Sequence, residues 1–214
     1  MHAVVKRTLL FAGLVMILAA GEVTRSADLG QATAGPDVAV TVWMPTTDFT
    51  VQEIKYRVMY NQFQTKVIPM PDYDFAGNLK AELLDRFSKD TRARWRAATA
   101  DEDKAFAAYF PAVKPEQVTL PDTITCDRVL LINAAYGAVT HVSGDRYLLS
   151  VLLRMVDRKT GRKRWEKSFT EREGMNGKLD ALQAENQKGL KEGLNRVMDV
   201  LTPKISSHVA KQTL

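Results

Sequence analysis

Three strand-like runs, "DRVLLINAAYGAV", "DRYLLSVLLRMV" and "RKRWEKSFT", follow one another from residue 127 to 170, separated by "HVSG" and "DRKTG". Both separators are rich in turn-forming residues, so the pattern predicts an antiparallel three-strand meander. The middle run is apolar at nearly every position, which predicts a central strand covered on both faces. Leu179, Leu182, Leu190, Leu194, Val197 and Leu201 then mark one stripe of a long helix that must end or kink at Pro203. Packing that helix across the meander is the simplest way to bury both.

The upstream half adds further elements to the same layers. "DVAVTVWMP" alternates as a first strand closed by Pro45. In "EIKYRVMYNQF", Ile54, Tyr56, Val58 and Tyr60 alternate as a strand, although Val51, Ile54 and Val58 also fit one helical face. Phe75, Leu79, Leu83 and Phe87 recur every fourth residue and predict an amphipathic helix near 75–88, with Asp72 or Asp74 accepting from its free N–H groups. "RARWRAAT" offers a short strand. Thr99 and Glu102 have the spacing of a capping box, and the acids at 101–103 suit the positive end of a short helix near 100–110. Residues 111–123, with three prolines, read as a connection. The expected fold class is α/β: a mixed sheet with the C-terminal antiparallel meander, packed by these three helices.

The amino terminus places Lys6 and Arg7 before an uncharged apolar run, Leu9 to Ala20, the order of a secretory signal. The run is shorter than the roughly 20 residues a spanning helix needs. Ala19 and Gly21 favour cleavage before Glu22; Thr24 and Ser26 offer a second site before Ala27. "LAAG" has the form of a lipoprotein processing site, but Gly21 stands where an acylated Cys would be, so no lipid anchor is expected. The organisation read from the chain is a signal peptide over 1–21, a flexible leader over 22–36 and a single α/β domain over 37–214. Without Lys6 and Arg7 the 30 Lys and Arg become 28 against 25 Asp and Glu, a formal charge of +3. That is far from the strongly basic balance of nucleic-acid-binding domains. Cys126 is the only cysteine, so no intramolecular disulfide can form and stability must come from burial.

Chemistry-bearing patterns are sparse. Neither "GxGxxG" nor "GxxxxGK[ST]" occurs, which disfavours nucleotide chemistry, and the nucleophile elbow "GxSxG" is absent. Only His141 and His208 survive signal removal, and with one cysteine they make no usual zinc set. No catalytic residue, metal or cofactor is assigned. The least implausible polar set for an enzyme, a hydrolase of unrecognised class, is His141, Asp145 and Cys126. Cys126 otherwise reads as a small packed residue and His141 as a surface histidine.

The strongest charge feature is the bend "VDRKTGRKRWEKSF", residues 156–169. Arg158, Lys159, Arg162 and Lys163 are the candidate contact for a protein or an anionic envelope surface, because such clusters create a local positive potential. The bend also has an ordinary explanation. Gly161 suits a tight turn, Asp157 can accept backbone bonds, and long cations solubilise an edge strand. Trp165 and Phe169 share one face by period-2 geometry and would anchor the strand. No aromatic stacking platform accompanies the charges, so nucleic acid is not an expected partner.

The block from 125 to 202 resembles bacterial envelope accessory proteins, the group of the curli-secretion lipoprotein, the lipoprotein activators of penicillin-binding proteins and the N-terminal domain of the Tol-system periplasmic protein. In that group two strands are joined by a "D-x-x-T-G-x-x-x-W" turn, and Asp157, Thr160, Gly161 and Trp165 stand in those places. The resemblance implies a compact α/β domain used for protein contacts in the envelope, without catalysis. Many members are lipoproteins; Gly21 departs from that pattern. If the signal is cleaved at the first site, amino-terminal sequencing of exported material begins at Glu22; an unprocessed Met1 would instead support an inner-membrane signal anchor.

Overall fold

The computed structural model of the chain describes residues 35–57, 60–107, 122, 124–141 and 144–213. The expected signal peptide, all but the last two residues of the leader, and most of the 111–123 connection lie outside the described residues. Within them run β1 (Asp37–Trp43), β2 (Phe49–Arg57), β3 (Tyr60–Ile68), α1 (Phe75–Asp90), β4 (Arg94–Ala97), α2 (Ala100–Ala107), β5 (Arg128–Thr140), β6 (Arg146–Asp157), β7 (Lys163–Gly174), α3 (Leu179–Leu182) and α4 (Ala184–Thr213). The strands form one mixed sheet with the predicted C-terminal meander, and the fold class is the one the sequence indicates.

β5 organises the sheet. Along one edge it pairs antiparallel with β6, from Arg128↔Asp157 to Val139↔Arg146. Along the other it pairs parallel with two strands in succession: Val38–Trp43 of β1 against Arg128–Asn133, then Thr50–Glu53 of β2 against Gly137–Thr140. β1 and β2 are thus successive pieces of one interrupted strand, and Pro45 in the gap has no N–H to give a ladder. β4 adds parallel to β1, β3 antiparallel to β2, and β7 antiparallel to β6. The run that alternated from Ile54 to Tyr60 is two strands, β2 and β3, joined at residues 58–59 rather than one strand. The apolar alternation continues through the reversal, so the residue pattern carries no break there.

One face of the sheet is covered by α1 and α4. Leu130, Ile132 and Ala134 of β5 and Tyr147, Leu149, Val151, Leu153 and Met155 of β6 point into this core. All four members of the predicted α1 stripe, Phe75, Leu79, Leu83 and Phe87, are buried there. Asp74 caps the helix, its Oδ1 accepting from Gly77 N–H at 2.9 Å. Tyr136 is buried in the same core and donates to Thr47 O; burial first, then the Asp48 charge, push its phenol up to about 12.

α4 differs from the single long helix read from the sequence. Leu179 and Leu182 belong to the separate short α3, and Glu185, Asn186 and Gln187 adopt left-handed φ values of 51°, 55° and 62° before the regular helix begins. This reversal folds Leu182 back onto Gly189, where an added Cβ would meet Leu182 Cδ2 at 2.7 Å. Farther on, α4 continues past Pro203 to Thr213. The hydrogen bond lost at Pro203 is outweighed by Ile205 and Val209, both fully buried against the sheet. Ser206 donates to Asp90 Oδ2 at 2.6 Å, and Tyr73 to Asn195 Oδ1 at 2.6 Å, tying α4 to both ends of the α1 region.

The opposite face is covered at one end only. Phe106 of α2 packs with Ile124 and Cys126 on Ala39, Val129, Leu131 and Val156 in a second, smaller core. The capping box is present: Thr99 N–H donates to Glu102 Oε2 at 2.8 Å and Glu102 N–H to Thr99 Oγ1 at 3.2 Å. Arg96 of β4 closes on the same carboxylate with two bonds of 2.7 Å. Beyond this end, the second face of β6 is only half-buried at Leu148, Ser150, Leu152 and Arg154, so β6 is central in order but not covered on both sides. Apart from Val156 in the smaller core, its apolar run has cover for one face alone among the described residues.

Gly193 lies over the ring of Tyr147, where an added Cβ would stand 2.0 Å from Cζ, and Tyr147 Oη donates to Gly189 O at 3.0 Å. Gly193→Ala should destabilise the fold by about 2 kcal/mol in urea unfolding, because the buried ring must move and the gain in helix propensity is smaller. Gly174→Ala, with nothing within 4 Å of its Cβ, should be near neutral. The Arg96 hydrogen bonds, then the Thr99 amide, hold the Glu102 carboxyl below its usual range against the cost of burial. A depressed folded-state value gives stability that is present above the unfolded value near 4.3 and lost as pH falls through the folded value. Glu102→Gln should therefore cost about 2 kcal/mol at pH 7 and flatten the acid limb of a stability–pH curve.

Candidate functional site

The β6–β7 bend is built by Asp157. Its Oδ1 accepts from Thr160 N–H at 3.1 Å and from Thr160 Oγ1 at 3.2 Å, and its carbonyl accepts from Gly161 N–H at 2.9 Å. Gly161 turns the chain with φ 64°, a conformation that favours glycine. Asp157 N–H donates to Arg162 O, and Arg158 N–H donates to Asp127 O, both at 3.0 Å, so the bend is fastened to the start of β5 as well. Burial raises the Asp157 carboxyl, but the Thr160 donors and Arg164 outweigh it and hold the group below the usual carboxylate range.

The cations of this region divide into two sets. Arg154 Nε reaches Glu166 Oε2 across the strands at 2.6 Å, Lys163 Nζ approaches the same carboxylate at 3.5 Å, and Arg164 Nη2 lies 3.3 Å from Asp157. These three share the two acids of the hairpin, Arg154 and Lys163 meeting on Glu166. Arg158, Lys159 and Arg162 have no carboxylate partner among the described residues, and Lys159 and Arg162 are exposed. Of the four cations singled out in the sequence, three are therefore uncompensated and Lys163 is paired. Arg128 joins them from β5. Burial, then the neighbouring Arg164, favours the neutral form of its guanidinium and lowers its proton affinity.

Trp165 and Phe169 face the helix side, half-buried against the large core, with His208 of α4 edge-on to both at ring separations of 5.5 and 5.7 Å. Burial, then Lys167 and Lys211, lower the His208 proton affinity. Farther along β7, Glu173 pairs with Arg196 at 3.0 Å and Glu171 with Lys204. The strand that carries the bend is thus clamped to α4 by ring contacts and ion pairs.

A cleft of about 1090 Å³ lies at the other end of β5, between β2, β3 and α3. His141 and Asp145 line it together. Cys126 does not: it is buried in the smaller core at the far end of β5, where burial raises its thiol. The charged lining is paired internally, with Lys55 on Glu53 at 3.3 Å and Lys66 on Asp180 at 3.9 Å. Among the described residues the lining holds neither serine nor cysteine. This cleft was not legible in the sequence, because it is assembled from strands distant along the chain. Among the described residues no group of three metal-ligating side chains converges, and no helix is long and apolar enough to cross a membrane.

A third feature is the open part of the second face. Ile54 of β2, Val139 of β5 and Leu148 of β6 border one shallow hollow of about 460 Å³, and Asn133, Ala135 and Leu152 border another of about 320 Å³.

The arrangement resembles several solved structures to different degrees. The hypothetical protein CT253 from Chlamydia trachomatis superposes with a TM-score of 0.57 at 13% identity, over 84% of this chain and 98% of that one. Protein XCC0632 from Xanthomonas campestris, of the family model DUF330, gives 0.49 at 8% identity over 85% and 90%. The lipoprotein GNA1162 from Neisseria meningitidis gives 0.43 at 20% identity over 82% and 99%. No family model matches the chain, and no curated protein matches it in sequence. At 13% identity the likeness to CT253 is one of fold alone, and it does not single out the curli-secretion, penicillin-binding-protein-activator or Tol-type groups.

Proposed function

We propose that this chain is an exported, non-enzymatic protein of a bacterial cell envelope that binds another envelope protein and supports its assembly or activity, with the β6–β7 bend as the contact. The observation that carries this reading is the set Arg158, Lys159 and Arg162, which have no carboxylate partner among the described residues and sit on a bend already fixed by Asp157. A pre-ordered loop loses little further entropy on binding, and uncompensated cations steer and orient an acidic partner. Lys6, Arg7 and the apolar run behind them support export, and Gly21 in the place of an acylated Cys supports a periplasmic protein without a lipid anchor. No aromatic platform stands beside the cations, because Trp165 is turned toward α4. That favours a protein over nucleic acid.

A hydrolase of unrecognised class is the second reading, favoured by the shared position of His141 and Asp145 in the large cleft. The separation of Cys126 from that pair weakens it.

Replacing Arg158, Lys159, Arg162 and Lys163 together with Ser should leave thermal unfolding nearly unchanged while sharply reducing recovery of partner proteins from the native envelope at low salt. Unchanged recovery would remove the bend as the contact. Loss of binding to vesicles rich in anionic phospholipid, with protein recovery intact, would assign it to a lipid surface instead.

A further inference from the structure

The sheet exposes two long edges, and they differ in chemistry. β7 carries seven charged residues in its "KRWEKSFTEREG", the composition that protects an edge from pairing. β3, "YNQFQTKVI", carries one, Lys66. It contains no proline, and its register with β2 runs from Phe49↔Ile68 to Arg57↔Tyr60 without a bulge. Among the described residues β3 pairs with β2 alone, which leaves its outer edge open. Phe63 and Val67 on this strand are 67% and 54% exposed, more than any other large apolar side chain among the described residues. They stand across from Ile54 and Thr50 and therefore share the open face of the sheet.

We infer that β3 is a self-pairing edge, through which two copies of this chain join antiparallel about a two-fold axis at Thr65. That register sets Phe63 opposite the second copy's Val67 twice over, an aromatic against a β-branched side chain, and Lys66 opposite Gln64, with no like charges facing. A register centred on Lys66 would oppose two lysines; one centred on Gln64 would set Phe63 against Thr65 and separate the apolar pair. The open faces of the two copies then lie on one side of a continuous sheet, bridged by the Phe63 and Val67 side chains. The contact is remote in sequence and space from the β6–β7 bend, so it stands whether or not the bend binds a partner.

Sedimentation equilibrium of the full chain over a concentration series up to about 100 μM should show the mass doubling. Phe63→Lys with Val67→Lys sets lysines against each other and should raise the dissociation constant about tenfold or more, with the urea-unfolding midpoint preserved. Thr65→Cys should form a disulfide-linked dimer on mild oxidation, since Cys126 is buried, while Ser168→Cys on the open face should not. A wild-type chain that stays monomeric throughout overturns the inference. So does a dimer that persists in the double-lysine variant while Thr65→Cys cross-links no better than Ser168→Cys.

Discussion

β5 is hydrogen-bonded along both edges to three other strands, and the rest of the molecule is arranged around that ladder. A strand so placed must be apolar on the face that the helices cover, and Leu130, Ile132, Ala134 and Tyr136 supply that face. Cover comes from α1 and α4, and α4 can descend onto β6 because Gly193 leaves room for the Tyr147 ring. Hydrophobic burial of this one interface supplies what a disulfide supplies in smaller scaffolds, since Cys126 is the only cysteine of the chain.

The chain reveals its local devices better than its long-range ones. α1 was legible from the fourfold spacing of Phe75, Leu79, Leu83 and Phe87, and its Asp74 cap and the Thr99–Glu102 box from their side-chain chemistry, because each is decided within one or two turns. The turn at Asp157, Thr160 and Gly161 was legible for the same reason. The β2–β3 hairpin was not, since period-2 alternation does not mark where a strand reverses. The parallel docking of β1 and β2 on β5 spans roughly ninety positions and leaves no local trace. At Pro203 the sequence left an end or a kink open, and the helix does not end there, because a helix-breaking residue is weighed against burial that only the tertiary structure reveals. In the candidate contact, the cross-strand pairing of Arg154 with Glu166 removes charges that a linear count leaves standing.

The charged bend and the large cleft occupy opposite ends of the β5–β6 pair. One lies beside Asp127 and Asp157, the other beside His141 and Asp145. Changes at one end leave the other's supporting hydrogen bonds intact, so their roles are separable. Between them runs a sheet face that α2 covers only at the bend end. The fold therefore presents three distinct surfaces on one sheet framework.

The order of strands along the chain has a temporal side. β1 and β2 emerge from the ribosome long before β5, which alone among the described residues joins them into one sheet, so neither finds its place until about residue 140 has been made. Such late closure slows folding and keeps the nascent polypeptide open for an extended interval. Under the export proposed above, that delay keeps the chain open for passage through a narrow channel.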